Sequence, residues 1–257
     1  MTQNFHKYQA TGNDFILFDN RQDTFPKKDT KLISRLCHRR FGIGADGLIL
    51  LEADKSTDFR MVYFNSDGRE GSMCGNGGRC VVAFAKKLGV VRDSCEFLAV
   101  DGVHKAHIDG ERVVLGMADV TEVRSKPKHL WLDTGSPHHV QVWEDWEGLD
   151  VKKEGERLRY GIYGQRGSNI NFVKLLGEEA FEVRTYERGV EDETYSCGTG
   201  VTATALAMHY LGHLKGTRAR ISTRGGDLEV SYAKTPDGYS EIKLKGPATW
   251  VFSGTLP

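Results

Sequence analysis

Cys74-Gly75-Asn76-Gly77 and Cys197-Gly198-Thr199-Gly200 stand 123 positions apart in a chain of 257 residues. The same offset lays Thr11-Gly12-Asn13 over Thr134-Gly135-Ser136, Gly44 over Gly167, Asp46 over Asn169 and Tyr63 over Tyr186. It also lays Leu88-Gly89 over Leu211-Gly212 and Gly102 over Gly225. A register held from residue 11 to residue 102 is an internal repeat rather than a coincidence of glycines. The chain therefore reads as two homologous halves, 1–123 carrying Cys74 and 124–257 carrying Cys197. They join where Arg124-Ser125-Lys126-Pro127-Lys128 breaks helical and strand patterns, and the extreme C-terminal strand is free to pair back with the first half.

Outside the cysteine segments the pattern is mostly strands. Phe15 to Phe18, Leu48 to Leu51, Phe59 to Phe64, Phe97 to Val100 and Val113 to Met117 are short and rich in aromatic and branched residues, with turn residues at their ends. Counterparts in the second half include Val140 to Trp143, Asn171 to Leu175, Phe181 to Tyr186, Ile221 to Thr223, Leu228 to Tyr232 and Ile242 to Leu244. Asp109-Gly110 and Asp237-Gly238 are hairpin signals. Helices are predicted over Gly77 to Leu88 and Gly200 to Leu211, each ended by a glycine suited to the left-handed position beyond a helix terminus. The second of these has almost no polar face and should be buried on every side. A further amphipathic helix is predicted over Lys31 to Arg40. The fold class is α/β (α+β): two pseudo-symmetric domains, each a curved antiparallel sheet or barrel wrapped around a central buried helix.

Lys and Arg total 35 and Asp and Glu total 35, with no block of like charge, which argues against nucleic acid and anionic membrane as partners. The longest apolar run is the six residues Cys80 to Ala85, far short of the roughly 20 that a spanning helix needs. Without a signal-like N-terminus, the cytoplasm is the expected compartment. Five cysteines at irregular spacing, with no CxxC, point to reduced thiols rather than a disulfide framework or a metal site.

Gly42-Ile43-Gly44-Ala45-Asp46-Gly47 matches the spacing of a dinucleotide loop, but it follows a predicted helix and precedes a strand, the reverse of what that loop requires. It reads as a tight helix-to-strand turn. Cys74 and Cys197 differ in kind from Cys37, Cys80 and Cys95, which lack the flanking glycines and have no repeat partner. Core packing gives no reason for a Gly-X-Gly after each of the two. Each stands at the start of a buried helix, where free N–H groups and the positive dipole end stabilise a thiolate and bind a carboxylate. Two such thiols related by an internal repeat suggest an acid and a base on opposite faces of one carbon, the requirement of a racemase or epimerase. The charged pair Glu187-Arg188 overlays Phe64-Asn65, and such asymmetry suits an unsymmetrical substrate.

Thr11-Gly12-Asn13-Asp14-Phe15, Gly42 to Asp46, Phe64-Asn65-Ser66-Asp67-Gly68, Met73 to Cys80, Gly135-Ser136-Pro137-His138, Tyr186-Glu187-Arg188-Gly189 and Ser196 to Gly200 together resemble the diaminopimelate epimerases over nearly the whole chain. Proline racemases have His where this chain has Asn76. The resemblance implies a cofactor-independent two-base epimerase that converts LL-2,6-diaminopimelate to the meso isomer, towards lysine and peptidoglycan. It implies that Cys197 accepts the proton and Cys74 donates it in that direction. It places the reacting carboxylate on backbone N–H groups of Gly75, Asn76, Gly198 and Thr199. Asn13, Asn65, Asn169 and Arg188 would hold the distal end of the substrate, and His138 and Glu187 would be catalytic residues flanking the reacting centre, with Glu187 also touching substrate. It further implies a homodimer, a small-molecule substrate as partner and no metal. Two substrate-contacting positions depart from the family pattern, Gly47 where Gln is usual and Ser136 where Asn is usual. Two other readings remain open: an isomerase of the same fold acting on proline or hydroxyproline, and a carboxylate-binding or thiol-redox protein that exchanges no Cα proton.

Overall fold

A computed structural model describes residues 3–256. The chain groups into two compact units, Met1–Leu115 with Gly246–Pro257, and Gly116–Lys245. The sequence pattern drew a boundary after residue 123 and left the extreme C-terminal strand free to pair back with the first half; the compact units group 116–123 with the second and 246–257 with the first.

The first unit contains β1 (Gln3–Ala10), β2 (Asn13–Asp19), α1 (Thr30–Cys37), β3 (Gly47–Glu52), β4 (Phe59–Asn65), α2 (Gly75–Lys87), β5 (Ser94–Ala99), β6 (Gly102–Asp109) and β7 (Arg112–Gly116). In the second lie β8 (Val123–Lys126), β9 (His129–Asp133), β10 (Pro137–Val142), α3 (Val151–Tyr163), β11 (Asn169–Leu175), β12 (Ala180–Glu187), β13 (Asp192–Thr194), α4 (Gly198–Tyr210), β14 (Arg218–Thr223), β15 (Gly226–Thr235) and β16 (Gly238–Pro247). The last strand, β17 (Thr249–Leu256), pairs antiparallel with β1.

The two units repeat one topology. β1–β2, β3–β4, β5–β6 and β6–β7 pair antiparallel, as do β9–β10, β11–β12, β14–β15 and β15–β16. Within this largely antiparallel framework each unit carries two parallel pairings, β2–β3 and β4–β5 in the first, β10–β11 and β12–β14 in the second. Parallel neighbours need a long crossover, and each of these connections contains one helix: α1, α2, α3 and α4 in turn. The linker expected at 124–128 is instead a hairpin, β8 paired with β9 around a turn at Pro127.

α2 and α4 are the central helices. In α4 Gly198, Gly200 and the unbroken run from Val201 to Met208 are buried. Burying Val201, Leu206 and Met208 stabilises the unit by roughly 2 kcal/mol each. Thr202 and Thr204 are tolerated inside because their hydroxyls donate to Gly198 O at 3.0 Å and Gly200 O at 2.8 Å. Both central helices begin two residues earlier than the sequence suggested, so Cys74 and Cys197 are themselves the cap residues, with extended backbone. α1 ends at Cys37 rather than Arg40, and the Gly42–Gly47 segment folds back on it: Gly42 N donates to His38 O and Gly44 N to Leu36 O. α3 was not foreseen. It buries Val151, Gly155, Leu158 and Arg159. Among the described residues no helix is long and apolar enough to cross a membrane.

Candidate active site

In the first unit Cys74 caps α2 without using its thiol as a cap, which leaves the sulfur at the mouth of the helix. The thiol donates to Asn13 Oδ1 at 3.7 Å, and Asn76 Nδ2 donates to the same oxygen at 3.3 Å. The Asn13 amide is fixed from its other end, because Nδ2 donates to Asp46 Oδ2 at 2.7 Å. Asp46 in turn receives Arg39 at 2.7 Å, and Arg39 also pairs with Asp14. Burial works against the Asp14 carboxylate, but hydrogen bonds from Arg39 and Lys7 outweigh it and hold its pKa down to about 2. Asn76 is oriented by the fully buried Arg79, whose Nη2 donates to Asn76 Oδ1 at 2.8 Å and to Thr11 Oγ1 at 3.3 Å.

The glycines after Cys74 have a packing reason that sequence reasoning denied them. A Cβ on Gly77 would sit 3.1 Å from Ile49 Cδ1, and one on Gly78 would sit 2.8 Å from Met73 Cε. Gly47 is explained too. Its Cβ would lie 2.4 Å from Tyr63 Cε2 and 2.6 Å from Phe64 O, so the Tyr63 ring covers the position where the family pattern has a longer side chain. Asn65 closes β4 opposite Gly47 and is exposed.

In the second unit Cys197 caps α4 in the same conformation, with the thiol again outside the capping role. Its sulfur lies 3.4 Å from Thr199 Oγ1. That hydroxyl lies 2.9 Å from His138 Nε2, and Thr134 Oγ1 donates to Thr199 O at 2.8 Å. His138 is completely buried; burial first, and the nearby Arg188 guanidinium second, push its pKa down to about 3, so the ring is neutral. Asn169 Nδ2 donates to Ser136 Oγ at 3.0 Å, and Asn169 Oδ1 receives Arg188 N at 2.8 Å. The Arg188 side chain is exposed and donates to Arg166 O at 3.0 Å. Glu187 ends β12, half-buried, in register with Asp192.

Thus one unit gathers Cys74, Gly75, Asn76 and Asn13 at a helix mouth with Asn65 on a neighbouring strand end. The other gathers Cys197, Gly198, Thr199, His138, Ser136, Asn169 and Arg188, with Glu187 adjoining in sequence. Sequence reasoning missed Asp46 and Arg79 behind the first group, and Asn171 and Thr185 behind the second. Asn171 had a readable signal: Asn169 and Asn171 alternate with apolar residues on one strand and therefore share a face. Cys37, Cys80 and Cys95 are buried, and burial raises each thiol pKa, to about 12 for Cys37 and Cys95.

The sequence matches the profile of the family described as Diaminopimelate epimerase over residues 5–123 and 130–251. It is 55% identical over 253 residues to the diaminopimelate epimerase of Flavobacterium psychrophilum, covering 98% of this chain and 99% of that one. To the Chlorobaculum tepidum diaminopimelate epimerase it is 41% identical, with 96% and 98% covered. Solved structures share the fold at low identity. A PhzF-family phenazine biosynthesis protein of Bacillus anthracis superposes with a TM-score of 0.78 at 14% identity, covering 100% of this chain and 99% of that one. A hydroxyproline epimerase from Agrobacterium vitis gives 0.72 at 14%, covering 99% and 92%. A profile match across both halves, and relatives aligned almost end to end with the cysteine-capped helices inside the aligned span, place the chain in the diaminopimelate epimerase family.

Proposed function

We propose that the protein epimerises LL-2,6-diaminopimelate to the meso isomer by two-base proton transfer, Cys197 removing the Cα proton and Cys74 supplying one to the opposite face. The observation that carries this reading is the equivalence of the two cysteines: each caps a buried helix, at matching positions of two units with one topology. Inversion at carbon needs a base on one face and an acid on the other. A thiolate at a helix N-terminus is a stabilised base, and a thiol held by an amide oxygen, as Cys74 is by Asn13, is a ready acid.

The reacting carboxylate would rest on the N–H groups of Gly75, Asn76, Gly198 and Thr199. The helix dipoles there favour the negative charge that builds on the carboxylate as Cα loses its proton. Asn13, Asn65, Ser136, Asn169 and Arg188 offer amide, hydroxyl and guanidinium groups suited to an amino acid at the distal end, and Glu187 can take an ammonium group. His138, buried and neutral, is unsuited to carrying the transferred proton itself.

The test is turnover of LL-diaminopimelate in D2O by purified protein, with proline as the comparison substrate. Early meso product should carry deuterium at the inverted carbon while recovered LL substrate carries little, because a single-proton thiol takes one proton and a different thiol gives one. Cys74→Ala or Cys197→Ala should abolish epimerisation. Deuterium appearing equally in both isomers from the first turnovers, or near-normal turnover by either variant, would overturn the two-base reading.

A further inference from the structure

We propose that Asn171 is a positioning residue for Cys197: by holding His138 as the tautomer protonated on Nε2, it makes the Thr199 hydroxyl a donor to the Cys197 sulfur and so favours the thiolate there. This rests on the reading of Cys197 as a proton-transfer group.

The polarity of the chain of contacts follows from its far end. Asn171 is fully buried in β11. Its Nδ2 lies 2.9 Å from the backbone oxygen of His139, which can only accept, and its Oδ1 lies 3.0 Å from Thr185 Oγ1, which must donate to it. Both contacts orient the amide the same way. The second hydrogen on Nδ2 then points at His138 Nδ1, 3.0 Å away, which must be an acceptor. A proton on Nδ1 would set two donors face to face in a buried site, leaving both unsatisfied. Nε2 has two neighbours, Thr199 Oγ1 at 2.9 Å, which can accept, and Asn169 Nδ2 at 3.5 Å, a longer contact from an amide that already donates to Ser136 Oγ at 3.0 Å. The closer donor faces Nδ1, so the ring proton sits on Nε2 and is donated to Thr199 Oγ1. With that lone pair engaged, the hydroxyl hydrogen is available to the sulfur of Cys197. A bond donated to sulfur stabilises its charged form.

The packing around Asn171 is built to admit it. A Cβ on Gly200 would lie 2.4 Å from Asn171 Oδ1, so the glycine at the third position after Cys197 makes room for this amide beneath the first turn of α4. Every member of the relay is neutral: amide, imidazole, hydroxyl. The charged group acting on the imidazole is Arg188, and it too opposes an imidazolium. When Cys197 ionises, its proton goes to solvent and the electron pair stays on sulfur, with no change of charge on any relay member.

Two measurements test this. In the unaltered protein with 15N-labelled histidine, long-range proton–nitrogen correlation, assigned with His138→Gln, reads which ring nitrogen of His138 is protonated. The expected result at pH 7 is hydrogen on Nε2 with Nδ1 bare; hydrogen on Nδ1, or on both, overturns the proposal. The second is the pH profile of iodoacetamide alkylation of Cys197 in a Cys74→Ala background, with the adduct located by mass spectrometry. Thr199→Val and Asn171→Leu should each move the midpoint up by about one unit, about tenfold slower reaction at neutral pH with an unchanged plateau at high pH. Thr199→Ser should keep the original midpoint. An unmoved midpoint in Thr199→Val overturns the proposal, and the tautomer measurement decides it even if Asn171→Leu fails to fold. These readouts do not depend on turnover: a relay confirmed in a protein that leaves LL-diaminopimelate untouched would refute the proposed function alone.

Discussion

His138 and His139 are consecutive, buried and neutral, and together they make the second unit sensitive to acid. Burial pushes both down to about 3, with Arg188 assisting at His138 and His129 at His139. In the unfolded chain both take up protons near pH 6.5. Between pH 6.5 and pH 3 the unfolded state thus holds protons that the folded state refuses, and stability falls as pH drops through that window, by about 2 kcal/mol per imidazole at pH 5. His139 lies outside the Cys197 relay, bonded to Tyr163 and Gln141. His139→Gln should therefore remove one imidazole's share of the loss, about 2 kcal/mol at pH 5, read as the change in urea midpoint between pH 7 and pH 5. At this same scale the sequence was legible where chemistry and spacing coincide: a cysteine followed by glycines, twice, at one offset. It was silent on Asp46, because an aspartate in a turn has many ordinary uses, and for Asn171 it offered only the face shared with Asn169; the partners around each side chain reveal which use applies.

Among the elements, α4 was readable because a helix buried on all sides needs no polar face, and its sequence has none. α3 escaped because its buried stripe includes Gly155, a residue that weakens helices, and Arg159, which pairs with Glu191. The structure supplies the reason for that glycine: a Cβ there would lie 2.3 Å from Tyr186 Cβ. Two substitutions in one helix separate intrinsic preference from packing. Gly161→Ala meets nothing within 4 Å and should raise stability by about 0.5–1 kcal/mol. Gly155→Ala gains the same preference but must push α3 off β12, and should lower stability by about 1–3 kcal/mol. Thermal unfolding of both variants checks the opposite signs.

For the molecule as a whole, the internal repeat foretold two matching units, and it did so because register in the sequence survives as register in the sheets. The parallel pairings were not legible, since strand direction depends on how a crossover helix returns the chain and leaves no period in the residues. Nor was the contribution of residues 246–257 to the first unit fully specified. β17 lies along β1 from Gln3 to Gln9, sets Phe252 edge-on to Phe5 at 6.0 Å, and brings Trp250 under Lys87 of α2 at 4.4 Å. Removing residues 249–256 should strip hydrogen-exchange protection from β1 and the end of α2 while β10, β11 and β12 keep theirs, and should promote association through the opened edge.

The placement of β17 also sets an order of events during synthesis. The unit bearing Cys197 is contiguous, Gly116–Lys245, and can close as soon as it leaves the ribosome. The unit bearing Cys74 begins first and finishes last, because its edge strand is translated only after all of its neighbour. At ~5–20 residues per second, the nascent chain carries the bare edge of β1 for on the order of ten seconds, and the half of the protein that emerges earliest is the half most in need of protection from other chains.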